Sequence, residues 1–148
     1  MNFKHLLIPV DGGDLAERAM AAGIDLACQL GAAITAFVAE PLAPAPSSGY
    51  GAERYLREMR LHDDETAVHA ESVLVRFERR ALAAGLAFNG VYGRSRQVDE
   101  AIAVVARQQG CDMIVMVTHG RGPFGELMFG SRTKGVMART KLALLVLH

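Results

Sequence analysis

Apolar residues follow two patterns along this chain. Short continuous runs at residues 6–10, 32–38, 86–92, 111–117 and 142–147 alternate with longer segments whose apolar positions recur every three or four residues. A continuous apolar run predicts a strand buried on both faces of a sheet. Pro9, near the end of the first run, lacks an N–H and predicts that pairing stops there. The longer segments predict helices over residues 15–30, 52–84, 98–109 and 131–140. Leu15, Ala19, Ala22, Leu26 and Leu30 mark the inner face of the first, with Asp14 as its N-cap and Gly31 as its C-cap. Gly85 and Gly110 end the next two, and Ile102, Val105 and Ala106 face inward in the third. The segment 41–49, rich in proline, excludes regular structure. Gly93, Arg94, Ser95 and Arg96 are expected to turn the chain after the third strand.

Strands that alternate with helices imply an α/β fold, an open, doubly wound parallel sheet of five strands with helices on both faces. Such a sheet binds ligands beyond the carboxyl ends of its strands, at the topological switch point. Asp11 and Gly120 both fall just past strand ends, so the fold brings their two turns to one edge.

The turn after the fourth strand, residues 117–131, is rich in glycine and precedes a helix. Backbone N–H groups of such a loop and the positive end of the helix behind it suit an anion. Three phosphate-binding readings overlap here. Gly120, Gly122 and Gly125 match G-x-G-x-x-G, but no helix opens within Gly122-Pro123-Phe124-Gly125, and an acid about 20 residues on would fall at the end of the chain. Gly125 to Gly130 starts like a P-loop, but Ser131 and Arg132 stand where lysine and a hydroxyl residue belong.

The third reading uses the whole chain. Ile8-Pro9-Val10-Asp11-Gly12, the run 112–116, Thr118-His119-Gly120-Arg121 and Gly130-Ser131 together resemble the universal stress protein family. Its nucleotide-binding members carry G-x-x-G, nine residues, then glycine and a hydroxyl residue. Gly120, Gly130 and Ser131 fit, and Val117 stands where the first glycine belongs. The resemblance implies a Rossmann-like sheet, of the adenine nucleotide alpha hydrolase type, in strand order 3-2-1-4-5. It implies ATP, with adenine and ribose near Pro9, Val10 and the backbone of Val38. Asp11 would lie beside the nucleotide, reaching it through magnesium. Val117, His119, Gly120, Arg121, Gly130, Ser131 and Arg132 would surround ribose and phosphates. Ser131 can also cap the last helix. If Val117 keeps β geometry, the strand runs one residue further and the ligand still fits, with crowding at the ribose. If the turn requires glycine, binding is lost. The resemblance further implies a homodimer through the last strand and a regulatory role in the stress response, with slow ATP hydrolysis at most. A nucleotide-free interaction protein of the same fold is the alternative. A receiver-like switch would need a phospho-acceptor aspartate after the third strand, where Tyr92-Gly93 stands.

Composition narrows the partners. Sixteen basic and sixteen acidic residues cancel, so no electrostatic footprint for nucleic acid or an anionic membrane follows. At 148 residues one domain, 1–148, is expected. No apolar run approaches the ~18 residues of a membrane span. The N-terminus runs directly into a strand without a secretory pattern, so a cytoplasmic protein is expected. Cys28 and Cys111 read as buried, reduced thiols. His62, Asp63, Asp64 and His69 read as a solvated helix face rather than a metal site, and Arg94 and Arg96 as exposed loop positions. His119 reads equally as a turn-fixing histidine. Met113, Met116 and Met128 read as packing residues. No serine, histidine and acid arrangement marks a nucleophilic triad, and no general base stands out.

Overall fold

A computed structural model describes residues 1–46, 49, 51–118 and 130–148. Its elements follow in the order β1 (His5–Pro9), α1 (Asp14–Leu30), β2 (Ala33–Glu40), α2 (Ala52–Ala83), β3 (Phe88–Arg94), α3 (Val98–Gln108), β4 (Met113–Val117), α4 (Ser131–Arg139) and β5 (Ala143–Leu147). All neighbouring strands pair in parallel, in the order β3-β2-β1-β4-β5. The α/β alternation therefore folds as its apolar runs require.

Side chains of successive strand residues point to opposite faces, so each strand feeds two cores. On one face Leu6, Ile8, Ile34, Val38 and Val115 pack with Ala19, Met20 and Ala27 of α1 and Ala70, Val73 and Phe77 of α2. On the other face Leu7, Phe37, Ile114 and Met116 pack with Ile102 and Ala106 of α3 and Val136 of α4. Central strands sandwiched in this way explain the unbroken apolar runs.

Four local expectations are corrected. β3 spans Phe88–Arg94, so Gly93 and Arg94 belong to the strand and not to the turn. β3 is an edge strand with little burial, so its hydrophobic signal is weak. The N-cap of α1 is Gly13, and Asp14 is already helical. Likewise Gly130 caps α4, and Ser131 makes no side-chain cap hydrogen bond. Finally, Cys28 is exposed whereas Cys111 is buried. Ala27 takes the core-facing position of α1, which turns its neighbour Cys28 outward.

Pro9 shapes the middle of the sheet. Val10 donates its N–H to the Phe37 carbonyl at 2.9 Å, so the backbone nitrogen of Pro9 faces β4 by strand alternation. It has no hydrogen to donate there. The β1–β4 pairing covers Leu6 with Met113 and Leu7 with Ile114 and reaches no further, whereas β1–β2 pairing runs from His5 to Pro9. The sheet thus parts between β1 and β4 at their carboxyl ends, where the chain also reverses its winding direction.

Candidate functional site at the switch point

A cavity of about 500 Å³ opens at this parting. Among the described residues, β1 and its turn contribute Pro9, Val10 and Asp11. β4 and its end contribute Met116, Val117 and Thr118, and the start of α4 contributes Gly130, Ser131, Arg132 and Thr133. The walls are apolar: Leu15, Ala16 and Ala19 of α1, Phe37 and Ala39 of β2, and Val98 and Ile102 of α3. Most of this apolar wall is absent from the sequence-predicted site. Phe37 was legible only as a strand residue and Ala39 fell just past the expected end of that strand at Val38, whereas β2 runs on to Glu40 and carries both to the cavity.

The predicted residues divide as follows. Pro9, Val10, Asp11, Val117, Gly130, Ser131 and Arg132 share the cavity. Val38 is fully buried on the opposite sheet face, between two residues that do line the cavity. His119, Gly120, Arg121 and Met128 lie outside the described residues.

Val117 keeps β geometry. It pairs with Leu147 in the β4–β5 ladder, and Thr118 extends the pairing by donating its N–H to the Leu147 carbonyl at 2.8 Å. The strand therefore runs through the position where a glycine turn was the alternative. The Val117 side chain packs on the α1–α2 core and also borders the cavity.

Asp11 fixes the turn after β1. Its Oδ1 accepts the Gly13 N–H at 2.9 Å, an Asx turn that leaves Oδ2 for other partners. Gly12 within this turn has φ of +81°, and a Cβ there would stand 2.6 Å from His69 Nε2 and 2.8 Å from Val73 Cγ2. Only glycine meets both constraints.

α4 differs electrostatically from the other helices. α1, α2 and α3 each carry an acid in the first turn: Asp14 and Glu17, Glu53, and Asp99 and Glu100. α4 carries none and, like the other three, has no side-chain cap. Lys134 donates its N–H to the Gly130 carbonyl at 3.2 Å, so the N–H groups of Ser131, Arg132 and Thr133 have no acceptor within the helix. All three residues line the cavity, with the positive end of the helix dipole behind them. The Arg132 side chain has no hydrogen bond or ion pair among the described residues. Among the described residues a Cβ on Gly130 would meet nothing within 4 Å.

The histidines of α2 have other tasks. His62 Nε2 lies 3.1 Å from the Pro41 carbonyl. His69 Nδ1 lies 2.5 Å from Oε1 of the buried Glu40. Both tie α2 to the end of β2. The Arg94 guanidinium is also held by α2, donating to the Asp63 carbonyl at 2.6 Å, so it turns away from the cavity. Among the described residues no group of three or more histidines, cysteines or acids is placed to hold a metal ion.

Fold and site together define an open α/β protein with an apolar crevice at its switch point and, at one end, helix N–H donors unpaired among the described residues. The chain belongs to the universal stress protein family, whose model matches residues 2–148. UspA from Lactobacillus plantarum is similar in structure, with 21% identity, a TM-score of 0.74, and coverage of 100% of this chain and 99% of that one. A universal stress protein in complex with cAMP shows 19% identity and a TM-score of 0.68 over 100% and 98% of the two chains. The universal stress protein from Archaeoglobus fulgidus in complex with dAMP shows 15% identity and a TM-score of 0.66 over 100% of both. These likenesses establish the fold. No curated protein gives a significant match.

Proposed function

We propose that this chain binds an adenine nucleotide, ATP, in the crevice between β1 and β4, and that binding regulates a stress response. The carrying observation is α4, which unlike α1, α2 and α3 has no acid in its first turn and whose first residues line the cavity with N–H groups that no described residue accepts. A polyphosphate satisfies those donors and complements the dipole. Arg132 adds a mobile positive charge. The apolar walls from Phe37, Ala39, Val98 and Ile102 suit a base, and a volume near 500 Å³ lies in the usual range for a cofactor pocket. Two structures of the same fold hold cAMP and dAMP, which supports adenine as the base.

Pro9, Val10, Asp11, Val117, Gly130, Ser131 and Arg132 take part in this reading through the shared cavity, and the Val38 backbone lies behind it. His119, Gly120 and Arg121 are assigned to the phosphates by motif position. Asp11 offers Oδ2 to magnesium. With no cluster of three or more acids, histidines or cysteines placed to hold it among the described residues, the metal would bind through Asp11 and the phosphates jointly, a common mode for this ion. Among the described residues lining the cavity there is no lysine, and the sequence offers no P-loop lysine, so slow hydrolysis at most belongs to the reading.

The protein is read further as one domain, cytoplasmic, and homodimeric through β5. Among the described residues no helix is long and apolar enough to cross a membrane.

Calorimetric titration with ATP and magnesium tests the proposal. Saturable binding at micromolar nucleotide is expected, weakened several-fold in Arg132→Ala. No binding at millimolar nucleotide overturns it. A second reading rests on Val117: a nucleotide-free interaction protein of the same fold. Under it, the wild type does not bind and Val117→Gly creates an ATP site. Tight binding by the wild type removes this reading.

A further inference from the structure

The sheet has two edges, β3 and β5. Ile34 donates its N–H to the Ala87 carbonyl at 2.9 Å. By strand alternation the backbone groups of Asn89, Val91 and Gly93 then face β2, and those of Phe88, Gly90 and Tyr92 face away from the sheet. Proteins usually guard such an edge with a proline, a bulge or an inward charge. β3 has none of these before its last residue, Arg94, and its register with β2 is unbroken from Phe88 to Arg94.

A groove of about 510 Å³ runs along this edge, between α2 and β3. Gly90 and Tyr92 form part of its floor, and Glu71, Glu78 and Val75 part of its wall. Among the described residues the only charged ones lining it are those two glutamates. Residues seven apart lie on nearly one line along a helix. Asp64 therefore extends the acidic row of Glu71 and Glu78. Val68 and Leu82 extend Val75 into an apolar row, exposed by 67%, 57% and 40% respectively. Glu71, Glu78 and Val75, the members of these rows that line the groove, lie beside the position that a further strand would occupy. An exposed apolar row beside open backbone donors and acceptors is a recognition surface of the strand-addition kind.

We propose that β3 accepts an extended segment of a partner protein as a sixth strand, with lysine or arginine side chains turned toward α2. Charge selects this occupant. Glu71, Glu78 and Asp64 complement a basic strand. A second copy of this chain, paired through β3 about a two-fold axis, would set the same acidic row against itself. Backbone pairing to Phe88, Gly90 and Tyr92 supplies affinity, and the carboxylates supply selectivity for basic side chains.

The test uses a fluorescein-labelled, capped peptide of sequence Lys-Val-Lys-Thr-Lys-Val-Lys and the full chain. Anisotropy should show saturable binding. The affinity should fall at least tenfold for the Glu71→Lys/Glu78→Lys double variant, whose sites are exposed and whose circular dichroism should be unchanged. N-methylation of alternate peptide amides keeps every charge and should also lower affinity at least tenfold. Amide exchange at Gly90 and Tyr92 should slow on binding, while Asn89 and Val91 stay as they were. The proposal is overturned by equal binding of the methylated peptide, by equal binding to the double variant, or by no binding at millimolar peptide. It is also overturned if the free protein self-associates through β3.

Discussion

The two cysteines show how far one side chain's chemistry depends on its place in the fold. Cys28 lies on the outer face of α1, whereas Cys111 is buried just before β4. Burial pushes the Cys111 thiol from 9.0 up to about 11; the Thr35 hydroxyl opposes this and the Asp112 charge adds to it. The thiolate is the reactive form. At pH 8 a maleimide should therefore label Cys28 rapidly and leave Cys111 untouched until the protein unfolds, as peptide mass mapping would show. Cys111 also gives stability a pH dependence. Its folded pKa is raised, so between about 9 and about 11 the unfolded chain releases a proton that the folded chain keeps. The contribution is complete below about pH 9 and is lost as pH rises toward about 11. Denaturant midpoints measured across that range should fall in the wild type and fall less in Cys111→Ala.

Elements meet most tightly where α3 crosses α4. A Cβ on Gly135 would stand 2.0 Å from Asp99 Oδ2 and 2.8 Å from Asp99 Cβ. Rotating the Asp99 carboxylate removes the first clash but not the second. Asp99 also pairs with Arg139 at 2.8 Å, so it has little freedom to move. Gly135→Ala should then cost about 1–3 kcal/mol, as overpacking does, and should displace the start of α4. Under the proposed function, ATP affinity drops with it. A double variant with Asp99→Gly should recover part of the stability, because it removes the atoms that clash. Additive losses measured by chemical denaturation would contradict this contact. The same scale explains a misplaced boundary. β3 packs against its neighbour on one side only, so its apolar pattern fades and its sequence suggests a strand two residues too early.

At the scale of the molecule, β5 is the second open edge. All five of its residues, Ala143–Leu147, are only half-buried. The proposed homodimer covers them through a copy related by a two-fold axis. Light scattering at micromolar concentration should give a mass near twice 15.9 kDa; a monomer would rule out this assembly. An assembly through β5 leaves β3 free, so the dimer and the proposed strand addition can coexist.

The sequence by itself determined the class of fold and the sheet edge at which the turn after β1 and the end of β4 meet. Apolar runs on central strands are buried from both sides, so their order with the helices leaves few topologies. Residues at strand ends, such as Asp11 and Val117, are then assigned to one edge by topology alone. Tertiary structure decided what depends on contacts between distant segments. It set Val117 in β geometry through its pairing with Leu147. It joined Glu40 to His69 across 29 residues, and it brought Phe37, Ala39, Val98 and Ile102 around one crevice. Local sequence encodes periodicity and turn chemistry. It does not encode which apolar side chains from separate strands and helices share a wall, because that is settled only when the elements pack.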